Sequence, residues 1–151
     1  PEAESTRTVT VYVAGPNGAI TAPADITTIT TAITEQALPL GVTLNLQSAA
    51  NKTITVTYQL YLYDDVGATE TDIKSAVSAA LQAMISSRPI GGDNGNKIYK
   101  SLIERTILST YPTHAFRVTL TAPTGDTTIA ADEVAVLAHN PALSTINLVP
   151  A

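Results

Sequence analysis

From Thr69 to Leu108 the chain reads as two amphipathic helices, TETDIKSAVSAALQAMISS and KIYKSLIERTIL, separated by the break RPIGGDNGN. Apolar residues recur at Ile73, Val77, Ala80, Leu81, Met84 and Ile85, and again at Ile98, Leu102, Ile103 and Ile107. That is the stripe an amphipathic helix lays against a core. Small residues at Ala76, Ala79, Ala80 and Ala83 suit close approach to a sheet or a neighbouring helix. Thr69 followed by Asp72 has the spacing of a capping box, with Asp in the usual Glu place. Pro89 and Gly91-Gly92 end the first helix, and Asn94 or Asn96 can cap the second.

A helix pair needs a partner surface, and the flanking segments supply strands. Lys52–Tyr63 (KTITVTYQLYLY) alternates strictly, with Ile54, Val56, Tyr58, Leu60 and Leu62 on one side. Thr53, Thr55, Thr57, Gln59, Tyr61 and Tyr63 lie on the other. Ala115–Ala122 is a second strand, predicted to place Phe116, Val118 and Leu120 on one side. A turn at Pro123–Asp126 leads to DEVAVLA as a short strand or extended edge, a break at Asn140-Pro141, and a last strand at Ser144–Val149.

Before these, Pro1–Ser5 reads as a frayed lead-in and Arg7–Ala14 as a strand whose two faces both suit a covered sheet. GPNG is a turn, and Pro23 then opens a helix with Ile26, Ile29 and Ile33 at helical spacing, with Thr21 or Ala22 at its N-cap and Leu38-Pro39 as its stop. Six Thr between positions 21 and 34 give that helix poor intrinsic propensity, so packing of the Ile stripe must hold it. Val42–Leu46 alternates as a strand. Strand, helix and strand in that order form a βαβ-like unit. The connector Ser48–Asn51 is the natural boundary. The expected fold class is α+β, with mixed sheets and packed helices. A βαβ-like N-terminal unit over residues 1–48 precedes a β-α-α-β unit over residues 49–151.

Composition narrows what such a domain does. A chain of 151 residues can bury roughly 70% of its unfolded surface. Only 14% of the residues are charged, and Thr, Ala and Ser fill their place, which gives a low-charge surface suited to other subunits or simply to strands. The net charge of −5 and eight scattered Lys and Arg argue against nucleic acid as a partner. No apolar run reaches the length of a membrane span, and no signal segment opens the chain. Pro1 in place of Met reads as a processed product or a fragment.

Nothing in the residues marks a reaction. Cysteine is absent, and the two histidines, His114 and His139, read as polar residues at strand ends. The patterns of nucleophile elbows, phosphate-binding loops and dinucleotide sites are missing. Gly91–Asn96 precedes a helix, but Asp93 opposes an anion and a helix-to-helix turn is the better reading. Carboxylates at Asp64-Asp65, Glu70/Asp72 and Asp132-Glu133 single out no acid pair. The expectation is no catalytic residue, no metal and no cofactor. Tyr58, Tyr61, Tyr63 and Tyr99 are the candidate interaction residues, because tyrosine is enriched in interface cores; cross-strand packing within one sheet is the competing account.

The stretch from Ser75 to Pro123 resembles the C-terminal part of the baseplate J-like family, whose pattern runs through a helix of the type AALxxYLxxLPIGG, then IYxSRLIxxI and a strand GVxxVxLxxP. Here Ala79-Ala80-Leu81, Arg88–Gly92, Ile98-Tyr99, Ser101–Ile103 and Val118–Pro123 fall in that order. Thr8–Gly18 is similar to a middle segment of the family, and the closing AADEVAVLA and STINLV also correspond. Thr113–Phe116 departs from the pattern, so the entry to the next strand is expected to be built differently. Gly92–Asn96 is longer and more polar than the pattern.

The resemblance implies a structural wedge component of a contractile phage or prophage tail baseplate, not an enzyme. It implies assembly in the bacterial host cytoplasm, residence in the virion, and contact with other baseplate proteins and, in the full-length protein, with copies of itself. It also implies that an N-terminal half is missing from this sequence, and that the fragment alone is monomeric or weakly dimeric. Nucleic acid, membrane and small-molecule substrates are not expected partners. The alternative from the residues is a carbohydrate- or receptor-binding module that uses the Thr-rich strands and Tyr58, Tyr61 and Tyr63.

Overall fold

A computed structural model describes residues 7–37 and 41–151. The lead-in at Pro1–Ser5 and the Leu38-Pro39 helix stop lie outside the described residues.

The long alternating strand, β4 (Ala50–Tyr63), is the centre of the larger sheet. Its even-numbered side is the core: Ile54, Val56, Tyr58, Leu60 and Leu62 are all buried. The helices α2 (Glu70–Ser86) and α3 (Lys100–Thr110) cover that side with Ile73, Val77, Leu81, Met84 and Ile85 from one and Ile103 and Ile107 from the other. Ala79 and Ala83 are exposed, so these two small residues take no part in the close approach expected of them. Thr69 and Asp72 form the capping box. The Thr69 hydroxyl accepts from Asp72 N at 3.2 Å, and Asp72 Oδ2 accepts from Thr69 N at 3.3 Å. The helices leave the other side of β4 uncovered.

One edge of β4 pairs antiparallel with β6 (Ala115–Ala122). The opposite edge pairs in parallel with two strands in succession, β8 (Glu133–His139) along Ala50–Val56 and β9 (Thr145–Val149) along Gln59–Tyr63. The short connector expected at Ser48–Asn51 is instead a single residue, Ala49, buried between the strand β3 (Val42–Ser48) and β4. The two units therefore join through a packed corner.

The N-terminal unit is the expected crossover. β1 (Arg7–Gly15) pairs in parallel with β3, and α1 (Pro23–Ala37) lies between them in the chain. A two-residue strand, β2 (Gly18–Ala19), folds back on β1 and meets the larger sheet, where Ala19 N donates to Asn51 Oδ1 at 2.7 Å. A Cβ on Gly18 would stand 2.4 Å from that oxygen, and φ is +111° there, so only glycine fits. In α1 the hydroxyls of Thr27, Thr28, Thr30, Thr31 and Thr34 donate to the carbonyls four residues earlier, which satisfies side chains that would otherwise compete with the helix. The Ile stripe buries less than expected: Ile26, Ile29 and Ile33 are only half-buried, and the first half of β1 is exposed, with Val9 46% accessible.

Between α2 and α3 the chain does more than turn. Lys97–Ile98, expected in the second helix, form a short strand, β5, paired with β7 (Thr127–Thr128). Ile98 is still fully buried, but as a strand residue. Asn94 and Asn96 do not cap α3. The N-cap position is Tyr99, and Asp126 Oδ1 accepts from Lys100 N at 3.0 Å, a cap supplied from 26 residues away.

Candidate interaction surface

The uncovered side of the larger sheet carries Gln59, Tyr61 and Tyr63 from β4, in alternation with the core residues. Across the antiparallel ladder Leu62 faces Ala115 and Tyr61 faces Arg117, so Phe116 is left without an opposite number. This is a β-bulge, with one extra residue on β6, and it reverses the side on which Phe116 emerges. The expected grouping of Phe116 with Val118 and Leu120 is thereby corrected: Leu120 is buried, while Phe116 is 47% exposed on the uncovered side. The bulge lies at the strand entry where the sequence departs from the family pattern.

The bulge completes an aromatic cluster. The Phe116 ring lies 4.9 Å from that of Tyr63 at an interplanar angle of 33°, and 6.4 Å from that of Tyr61. Arg117 places its guanidinium carbon 5.2 Å from the centre of the Tyr61 ring, within cation–π range. Tyr63 is 38% exposed. Tyrosines beside an arginine in cation–π range are the residue types that dominate binding energy at protein interfaces.

Of the four candidate tyrosines, the structure brings together only Tyr61 and Tyr63. Tyr58 is not a surface residue. It is fully buried, its ring stacks on that of His139 at 5.5 Å, and its hydroxyl has no hydrogen-bond partner among the described residues. Burial pushes its phenol up to about 12, since the charged form is poorly solvated there. Strict alternation already puts Tyr58 on the core side, and that signal outranks its residue type. Tyr99 stands apart in the α2–α3 loop, where its hydroxyl donates to the carbonyl of Asn94 at 2.6 Å. It borders an open depression of about 510 Å³ shared with Arg88, Asp93 and Arg105.

Four amides of the glycine loop are committed rather than presented to an anion. Gly91 N donates to Glu133 O, Gly92 N to Pro89 O, Asp93 N to Lys97 O and Asn96 N to Asp93 O. Asp93 is paired with Arg88 at 3.0 Å. The carboxylates serve locally as well: Glu133 Oε2 accepts from Ala130 N, and Asp72 closes the α2 cap. No group of three or more His, Asp or Glu side chains able to hold a metal ion occurs among the described residues.

His114 is near Asp65 at 3.7 Å, at the entry to β6. His139 is different, and residue type gives no hint of it. Half-buried at the end of β8, it contacts Ser78 Oγ through Nδ1 at 3.0 Å and Ser144 Oγ through Nε2 at 3.3 Å. Those partners lie 61 and 5 residues away. Burial, and secondarily the charge of Lys74, lower its pKa from the ordinary histidine value.

No helix among the described residues is long and apolar enough to cross a membrane. A search of curated proteins returns no match. The family described as Baseplate J-like protein C-terminal domain matches residues 53–139, from Thr53 in β4 to His139, the last residue of β8. With more than half its length matched, the chain belongs to the Baseplate J-like protein C-terminal domain family, and it is a component of a phage tail baseplate.

Proposed function

We propose that this chain is a structural, non-enzymatic part of the baseplate wedge, and that it binds neighbouring baseplate proteins, and copies of itself in the full-length protein, through the uncovered face of the larger sheet. The observation that carries this reading is the cluster of Tyr61, Tyr63, Phe116 and Arg117, held on a hydrogen-bonded strand pair with Tyr63 and Phe116 exposed. Rigid aromatic anchors lose little entropy on docking, and the Thr-rich strands around them bring few charges to desolvate. Tail assembly in the host cytoplasm, before lysis, is part of the same proposal.

The test replaces Tyr63 and Phe116 together by Ser in the full-length protein and follows its incorporation into baseplates by sedimentation. Loss of incorporation with unchanged thermal unfolding supports the reading. Normal incorporation refutes this face as the contact. A second reading, carbohydrate binding, is favoured by the same aromatic cluster, whose exposed Tyr63 and Phe116 rings offer apolar faces to a sugar ring. Measurable glycan binding that is lost in the same double variant, with baseplate incorporation intact, would replace the first reading with the second.

A further inference from the structure

β8 and β9 run along one edge of β4 as though they were a single strand with an insertion. Val56 pairs with His139 and Gln59 with Thr145, so Thr57 and Tyr58 face the five residues Asn140–Ser144. The extra residues are drawn out as a 3₁₀ turn over Pro141–Leu143, capped by Asn140, whose Oδ1 accepts from Ala142 N at 3.1 Å. At this joint the parallel ladder is interrupted, and a side chain takes over: Tyr58 N donates to Ser144 Oγ at 3.4 Å. Ser144 is itself buried.

His139 is the hub of the joint. Its Nε2 meets Ser144 Oγ, its Nδ1 meets Ser78 Oγ on α2, and its ring stacks on Tyr58 of β4. A neutral imidazole offers one donor and one acceptor, and either serine hydroxyl can take the complementary role. An imidazolium donates at both nitrogens. Each serine must then accept from the ring, so the hydroxyl hydrogen that the neutral imidazole accepted, from Ser78 or from buried Ser144, loses that acceptor, and the new charge would sit half-buried near Lys74.

We propose that His139 is an acid-sensitive latch: neutral, it ties β9 to α2 and β4; protonated, it lets β9 leave the sheet while β4, β6, α2 and α3 stay packed. The groups facing it are Ser78 and Lys74 from α2, Tyr58 from β4 and Ser144 from the β8–β9 turn. Lys74 is held by Glu70 at 2.7 Å, and Tyr58, with its raised pKa, stays uncharged throughout this range. Because the folded state holds the imidazole below its ordinary value of 6.5, the latch's contribution is complete above that pH and is lost as pH falls below it. Release uncovers the β4 edge from Gln59 to Tyr63, beside the aromatic cluster.

Amide hydrogen exchange, corrected for intrinsic rates, tests this between about pH 7.5 and about pH 5.5, above the range where carboxylates titrate. The expected result is that protection of Thr145–Val149 falls on acidification, by up to about tenfold per pH unit, while protection of Leu81 in α2 and Ile107 in α3 holds. In His139→Gln the pH dependence of β9 disappears; in His114→Gln it persists. Protection of β9 that is unchanged with pH, or an unaltered dependence in His139→Gln, overturns the proposal. If His139→Gln does not fold, the imidazole titration in the His114→Gln chain decides: a His139 pKa below the ordinary value supports the latch, and one at or above it sinks it.

Discussion

Phe116 packs against Tyr63 at 4.9 Å on the uncovered side of the sheet because one extra residue in β6 turns it away from the core. A half-exposed aromatic pair of this kind stabilises the fold little. Phe116→Ala is expected to cost about 1 kcal/mol or less in urea unfolding. Leu60→Ala, wholly buried on the core side of β4, is expected to cost about 2–5 kcal/mol. Equal costs for the two would mean that Phe116 belongs to the core.

The cap of α2 gives a second measure. Thr69→Ala removes the hydroxyl that accepts from Asp72 N and is expected to destabilise by about 1 kcal/mol. Asp72→Ala should lose a similar amount, and the double variant less than the sum, because the two side chains form one box. Strict additivity in a double-mutant cycle would contradict the box.

Glycine positions in the two loops that flank α2 differ in a way that unfolding can read. At Gly67 φ is +67° and a Cβ would meet nothing within 4 Å, so Gly67→Ala carries backbone strain alone, about 1 kcal/mol. At Gly92 φ is +75°, and a Cβ would stand 3.0 Å from Lys97 N and 3.1 Å from the Ile129 side chain. Gly92→Ala is therefore expected to be the more damaging of the two in thermal unfolding, since it adds a clash with the β5 backbone.

Tyr58 predicts the alkaline limb of the stability curve. The phenol is raised from 10 to about 12 in the folded chain. Its protonated form is therefore favoured by folding, and the associated stability is full below pH 10 and is lost as pH rises toward 12, by roughly 2–3 kcal/mol in all. Tyr58→Phe removes a buried hydroxyl without a partner among the described residues, so it should be neutral or mildly stabilising at pH 7. Its unfolding free energy should also fall less steeply above pH 10 than that of the parent chain.

Much of the domain is legible from local pattern. Period-two alternation places β4 and divides its side chains between core and solvent, and the helical stripe of α2 names its buried residues. The parallel β1–α1–β3 crossover follows from element order. Residue type is the weaker guide: it groups Tyr58 with the surface tyrosines, whereas alternation correctly assigns it to the core. The apolar spacing of Lys97–Ile98 continues that of α3, yet pairing with Thr127–Thr128 makes them a strand. A two-residue strand has no periodicity of its own to detect.

Spacings of a few residues thus settle where most elements lie, which faces are apolar, and which family the chain resembles. Other features come only from the assembled core: that β8 and β9 share one edge of β4, that a bulge carries Phe116 into solvent, and that His139 meets Ser78. Each is a pairing between segments far apart in the chain, or a register shift of one residue within such a pairing. Neither leaves a local signature, because packing of the whole core selects the partner and the register.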